Sequence, residues 1–201
     1  MPKTALITGA SSGIGAALAR VHARKGGDLI LVARRAEPME ALKAELVEAN
    51  GIDVTVIAKA VGTPELAREL YEDVKARGRE VEILMNNAGF GGHGAFLDRD
   101  LAKDQAMIDL NISALVSLSH HFGQDMRARG KGRMLHVAST AGFIPGPFQA
   151  VYFATKAFVN SFSQAIDHEL RERGETCTVL APGYVETEFA DVATLGGTQL
   201  V

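Results

Sequence analysis

The sequence is poor in the features that mark several common classes of protein. It holds one cysteine, Cys177, which cannot close an internal disulfide and whose neighbours Thr176, Thr178, Val179 and Leu180 suit an inert buried thiol. It has no large excess of one charge: 21 basic and 24 acidic residues are interspersed to a net of -3, so there is no basic stripe for nucleic acid and no polybasic patch for a membrane surface. No apolar run approaches membrane length, and Pro2-Lys3 passes directly into Ala5-Leu6-Ile7 without a charged leader and cleavage site. The expectation is an unexported, cytoplasmic protein that meets small molecules. The six histidines, His120-His121 among them, show no spacing with acids or cysteines that closes a metal site, so no metal is expected. No repeat, long linker or low-complexity stretch divides the chain, and a 47% hydrophobic content suits one domain over residues 1–201 with a core of its own.

What is present is an alternation of short apolar runs and amphipathic segments. Runs at residues 5–7, 28–33, 54–58, 81–85, 134–138 and 176–180 read as strands. Between them lie helical patterns: Ala16, Ala17, Leu18 and Val21; residues 37–50, closed by Gly51; a segment opening at Thr63-Pro64-Glu65; a long one carrying Met107, Leu110, Leu115, Leu118 and Phe122 to about Arg129; and another around Tyr152 to about Arg173. This alternation predicts an α/β fold, a doubly wound parallel sheet with helices on both faces. Ligands in such sheets bind beyond the carboxyl ends of the strands, where the chain order reverses. Every unusual loop in this sequence follows a strand.

The first such loop is Thr8-Gly9-Ala10-Ser11-Ser12-Gly13-Ile14-Gly15, whose glycines are spaced G-x3-G-x-G. Glycines let a backbone turn sharply and approach a pyrophosphate, and the following helix offers unpaired N–H groups and a favourable dipole. The bland alternative is a tight strand-to-helix turn. No lysine of the nucleoside-triphosphate-binding kind follows the last glycine. The second strand ends at Ala33, followed by Arg34-Arg35, where a dinucleotide fold specific for NAD carries an acid. Guanidinium groups suit a 2'-phosphate, so the sequence prefers NADP over NAD; two solvated surface arginines are the alternative.

In the segment Tyr152-Phe153-Ala154-Thr155-Lys156, the apolar spacing of Val151, Phe153, Ala154, Phe158, Val159, Phe162 and Ile166 predicts a buried helix. Tyr152 and Lys156 are then one turn apart on one face. An ammonium beside a phenol favours the phenolate and draws the phenol's pKa toward the range where it exchanges a proton with a substrate oxygen. Alone, the pair also occurs by chance on surface helices.

With the glycine turn, Asn86-Asn87-Ala88-Gly89, Asn111, Ser139, Tyr152 and Lys156 in this order and spacing, the sequence resembles the short-chain dehydrogenase/reductase family from about Thr4 to Phe189. The resemblance implies a Rossmann-type domain in which Gly9, Ser11, Ser12, Gly13, Ile14 and Gly15 form the cofactor turn. It implies that Asn87, Ala88 and Gly89 support the sheet beside the adenosine half. Asn111 is implied to hold a water leading to the catalytic lysine, and Ser139, Tyr152 and Lys156 to complete the catalytic set, with Lys156 also on the nicotinamide ribose. Pro182, Gly183, Val185 and Thr187 match the stretch whose threonine binds the nicotinamide carboxamide. The implied reaction is hydride transfer between NADP(H) and a carbonyl or alcohol, in a homodimer or homotetramer packed through the long helices near Asn111 and Tyr152.

Two features depart from the pattern. Ala60 stands where the family usually has an aspartate against the adenine. The family also continues into a substrate-covering segment, another helix and a seventh strand, so residues to Val201 are not expected to form the whole lid. The loops around Phe90-Gly91-Gly92-His93-Gly94-Ala95-Phe96 and Phe143-Ile144-Pro145-Gly146-Pro147-Phe148 are apolar and aromatic, which favours an apolar carbonyl or alcohol substrate, with His93 as a candidate contact. A non-catalytic NADP-binding sensor or interaction module of the same fold is the alternative reading.

Overall fold

The structure, a computed structural model, describes residues 3–185. Six parallel strands form one sheet in the order β3-β2-β1-β4-β5-β6: β1 (Ala5–Thr8), β2 (Leu29–Ala33), β3 (Val54–Ala58), β4 (Ile83–Asn86), β5 (Gly132–Val137) and β6 (Glu175–Leu180). All four residues of β1 are buried, as a central parallel strand covered on both faces must be. The two-residue period divides it: Leu6 joins a core with Ile30, Val32, Leu84, Leu118 and Phe122, whereas Ala5 and Ile7 join one with Ala19, Leu31, Met39 and Leu46. Helices α1 (Gly13–Ala23) and α2 (Ala36–Asn50) supply the second core; α3 (Pro64–Ala76), α5 (Leu115–Arg129) and α6 (Ala150–Arg171) pack on the first.

Local chemistry sets the ends of these helices. Gly51 closes α2 with a φ of 65°, where a side chain would be strained. Thr63 caps α3 by accepting the Leu66 N–H at 3.3 Å, ahead of Pro64 at the first helical position. Chain order reverses between β1 and β4, which opens a crevice beyond their carboxyl ends.

Two expectations change. The helix read as continuous through Met107 to Arg129 is α4 (Leu101–Ile108), a π-helical segment (Asp109–Ala114) and then α5. In α6 the apolar residues do not define the buried side: Ala154 is exposed and Phe158 is 37% exposed, while Thr155, Lys156, Val159, Asn160 and Ser163 are buried. The interior beneath α6 is polar enough to receive them. The Ser163 hydroxyl lies 2.6 Å from the Val159 carbonyl and 2.9 Å from His136 Nδ1, and His136 Nε2 lies 3.0 Å from Ser119 Oγ. Burial pushes His136 down to about 4, so it is a neutral element of the core. Cys177, buried 3.6 Å from the same ring, is pushed up to about 12 by burial, which makes it inert. Among the described residues no helix is long and apolar enough to cross a membrane, and no group of three His, Cys, Asp or Glu side chains could hold a metal ion.

Candidate active site

Five chain segments converge beyond the ends of β4 and β5. Helix α6 brings Tyr152 and Lys156 one turn apart, with Lys156 Nζ 5.8 Å from the centre of the Tyr152 ring. Lys156 is 5% exposed and donates to the Val137 carbonyl at 2.9 Å, which ties the helix to the last residue of β5. Ser139, two residues further on, accepts the Ala141 N–H at 3.1 Å and so caps a short 3₁₀ turn (Thr140–Phe143). Its hydroxyl donates to the Pro182 carbonyl at 3.5 Å and draws the pKa of the nearby Tyr152 phenol down. The Thr140 N–H donates to the Pro182 carbonyl at 2.9 Å, which fixes Pro182 and Gly183 at this end of the sheet.

Asn111 lies in the π turn and is 2% exposed. Its amide donates to the Phe90 carbonyl and to Thr155 Oγ1, both at 3.0 Å, and its oxygen accepts the Phe90 N–H at 3.2 Å. Thr155 then donates to the Tyr152 carbonyl at 2.7 Å. The loop after β4 is thereby bonded to the helix turn that carries the phenol. Gly89 is enclosed by the same groups: a Cβ there would stand 2.9 Å from Asn111 Oδ1 and 3.5 Å from Lys156 Nζ. Sequence reasoning missed Thr155, although a β-branched hydroxyl in a helix interior is a signal of back-bonding or a polar partner.

Electrostatics here depart from expectation in one respect. Burial pushes the Tyr152 phenol above its ordinary value, with the Ser139 hydrogen bond acting in the opposite direction. Burial also pushes Lys156 down to about 8, so its ammonium persists at neutral pH. The sequence reading gave the ammonium the deciding influence on the phenol, whereas desolvation of a largely enclosed ring decides it.

The glycine turn lies across the crevice. Gly9 has a φ of 67°, and a Cβ on it would meet Asn87 Nδ2 at 2.8 Å and the Ala88 Cα at 2.9 Å. Asn87 Nδ2 donates to the carbonyls of Thr8 and Gly9 at 3.0 and 3.1 Å, and Thr8 Oγ1 accepts the N–H groups of Asn87 and Ala88. Thus the segment from Asn87 to Gly89 is bonded to the turn on one side and packed against Asn111 on the other. Ser12 precedes α1 without a side-chain cap, there is no acid in the first turn, and Gly13 and Ile14 open the helix, so its N-terminal N–H groups suit an anion. Ser11 belongs to the same turn, and a Cβ on Gly15 would stand 2.2 Å from the Gly9 carbonyl. Arg34 and Arg35 are exposed after the end of β2. Val185 is 44% exposed, and Thr187 lies outside the described residues.

The short chain dehydrogenase family model matches residues 3–195. Serine 3-dehydrogenase of Agrobacterium fabrum is 39% identical over 99% of this chain and 78% of its own. Among solved structures, a short-chain dehydrogenase from Sphingobium yanoikuyae in complex with NADPH superposes with a TM-score of 0.90 at 34% identity, covering 96% of this chain and 75% of that one. The bulky-bulky ketone specific alcohol dehydrogenase from Comamonas testosteroni gives 0.86 at 34% identity, covering 92% and 74%. With the glycine turn, the Asn87–Gly89 bridge and the Ser139, Tyr152 and Lys156 cluster in one crevice, this chain belongs to the short-chain dehydrogenase family of oxidoreductases.

Proposed function

We propose that this protein transfers a hydride between NADP(H) and an apolar carbonyl or alcohol, with Tyr152 as general acid or base. The observation that carries the reading is the meeting of a buried ammonium, a phenol and a hydroxyl, Lys156, Tyr152 and Ser139, at the carboxyl end of β5. The chain fits a nicotinamide dinucleotide. The N-terminus of α1 has no side-chain cap, and Gly9 and Gly15 let the turn before it lie so close to Asn87 that a Cβ on either would collide with that side chain. Gly9, Ser11, Ser12, Gly13, Ile14 and Gly15 would hold the pyrophosphate, and Arg34 and Arg35 the 2'-phosphate. Asn87, Ala88 and Gly89 would support the adenosine half, and Lys156, Pro182, Gly183, Val185 and Thr187 the nicotinamide half. The bound cofactor supplies or accepts the hydride.

The chain's own residues manage charge and protons. As a carbonyl is reduced, negative charge builds on its oxygen, and the hydroxyls of Ser139 and Tyr152 donate to it. Tyr152 then gives up its proton. A phenol held high by burial is fully protonated at neutral pH, which suits the reducing direction. The Lys156 ammonium stabilises the phenolate left behind, and a route along Asn111 to bulk water returns the proton.

Relatives that by name act on serine and on bulky ketones stand at comparable identity, so the apolar preference rests on this chain's own walls. Phe96 after β4, and Phe143, Ile144 and Phe148 after β5, are all more than half exposed around the crevice loops. We also read residues 1–201 as one domain of a cytoplasmic homo-oligomer that pairs through α5 and α6, where the exposed Phe158 stacks on Phe162 at 5.6 Å. The assembled proton donor favours an enzyme over a binding module. The test is Tyr152→Phe: reductase turnover with NADPH falls about 10²–10⁴-fold while NADPH binding, followed by titration, stays within a few-fold. Retained turnover would remove tyrosine from the mechanism.

A further inference from the structure

Phe148 is the one non-glycine residue among those described with a left-handed backbone, at φ 64°. Its surroundings define the turn. The Gln149 N–H donates to the Gly146 carbonyl at 3.1 Å, Pro147 occupies the second position and Phe148 the third. A positive φ at the third position and a proline at the second mark a type II turn, whose third position is normally glycine. A bulky aromatic there is strained.

The core does not account for the ring, which is 57% exposed. It lies instead 6.0 Å from the His93 ring, at an interplanar angle of 32°. The backbone beneath it is held from the same direction, since the Gly94 N–H donates to the Phe148 carbonyl at 2.8 Å. The His93 side of this contact is braced in turn. Arg99 donates to the His93 carbonyl at 2.8 Å and pairs with the buried Asp104 at 2.6 Å, and a Cβ on Gly92 would collide with the guanidinium. Two loops, one after β4 and one after β5, are thus joined at a fixed contact whose outer surface is two flat rings. Downstream, Gln149 is 5% exposed and its carbonyl accepts the Phe153 N–H at 3.0 Å, so the strained turn leads directly into the helical turn of Tyr152.

We propose that Phe148, set against His93, is a specificity-determining residue that selects carbonyl substrates carrying a flat apolar substituent, such as an aryl ketone. The inference rests on the hydride-transfer reading above and adds to it the shape of the substrate. The strained backbone holds an aromatic ring that the core does not use and leaves it open to what it meets outside, and a tilted pair of rings meets flat apolar groups by stacking and edge contact.

The test compares wild type with Phe148→Gly and Phe148→Ala, using an aryl alkyl ketone and a short aliphatic aldehyde with NADPH. The ratio of kcat/KM for the ketone to that for the aldehyde should fall at least about tenfold in both variants. Phe148→Gly should melt at a higher temperature than Phe148→Ala, because only glycine relieves the turn. An unchanged ratio in a folded Phe148→Gly overturns the proposal. Titration of the aryl ketone into NADPH-loaded protein reads the same contact without turnover. Weaker binding in Phe148→Gly supports the proposal even if wild type reduces no carbonyl, an outcome that sinks the hydride-transfer reading alone, whereas equal binding overturns it.

Discussion

Asn111 and Thr155 share a hydrogen bond of 3.0 Å in the protein interior, and through it the loop after β4 is tied to the turn that presents Tyr152. Thr155 accepts from the Asn111 amide and donates to the Tyr152 carbonyl, so its one hydroxyl uses both its acceptor and its donor. Thr155→Val keeps the shape and removes both bonds. It leaves a buried amide hydrogen without a partner, which costs about 1–3 kcal/mol. We expect the melting temperature to fall by about 2–4 °C per kcal/mol lost, while Thr155→Ser stays near wild type. Calorimetry of the two variants decides it. Equal stability of Val and wild type would show that the bond contributes nothing.

The strands, the parallel sheet and the order of the glycine, serine and tyrosine signals were legible because each depends on local spacing. The π turn was legible in principle: the apolar interval from Leu110 to Leu115 is five residues, where the neighbouring intervals are three or four. One extra residue per turn is what a π turn inserts, often at a functional site. The buried face of α6 was misread because apolar periodicity assumes an apolar interior, and here His136 and Ser163 make it polar. The direction of the Tyr152 shift was not accessible from spacing at all. It depends on how much of the phenol the fold encloses.

The Lys156 ammonium provides a pH test of the enclosure. Burial lowers its pKa from 10.5 to about 8, whereas the unfolded chain keeps the ordinary value. Below pH 8 both states hold the proton and the destabilising cost of burying the charge is present in full. Between pH 8 and 10.5 the unfolded state binds more protons, so this group's contribution to stability rises with pH. Lys156→Met should therefore have its greatest stability relative to wild type below pH 8. That advantage should shrink by on the order of 3 kcal/mol by pH 10.5. Tyr152 is present in both proteins and largely cancels. Urea unfolding across this range measures the difference, and parallel curves for the two proteins would show that the ammonium is not desolvated.

Glu175 opens β6 opposite Gly132, is 1% exposed, and neither carboxylate oxygen has a hydrogen-bond partner. Burying such a group without a partner opposes folding. Glu175→Leu removes the polar atoms at similar volume and should stabilise the protein by about 1–3 kcal/mol. Glu175→Gln, still polar, should gain less. Thermal unfolding of the pair separates desolvation from packing: a loss of stability in Glu175→Leu would mean that the carboxylate has a compensating role.

The proposed preference for NADP is tested at the end of β2. The strand finishes at Ala33, paired with Ala58 and bonded through its carbonyl to the Lys59 N–H at 2.9 Å, and the next residue is the exposed Arg34 rather than an acid. In the proposed NADP complex Arg34 and Arg35, exposed just past the strand end, supply the guanidinium groups for the 2'-phosphate. A charge-assisted bond of this kind contributes about 1.5–3 kcal/mol, roughly ten- to a hundredfold in affinity. Arg34→Ala should raise the KM for NADPH by at least about tenfold and change that for NADH little. Arg34→Asp, which repels the phosphate and accepts from ribose hydroxyls, should carry the preference past parity toward NADH. The ratio of kcat/KM with the two cofactors is the measurement. Equal use of NADH by the wild type, or a ratio unmoved by Arg34→Asp, would place the discrimination elsewhere than at this strand end.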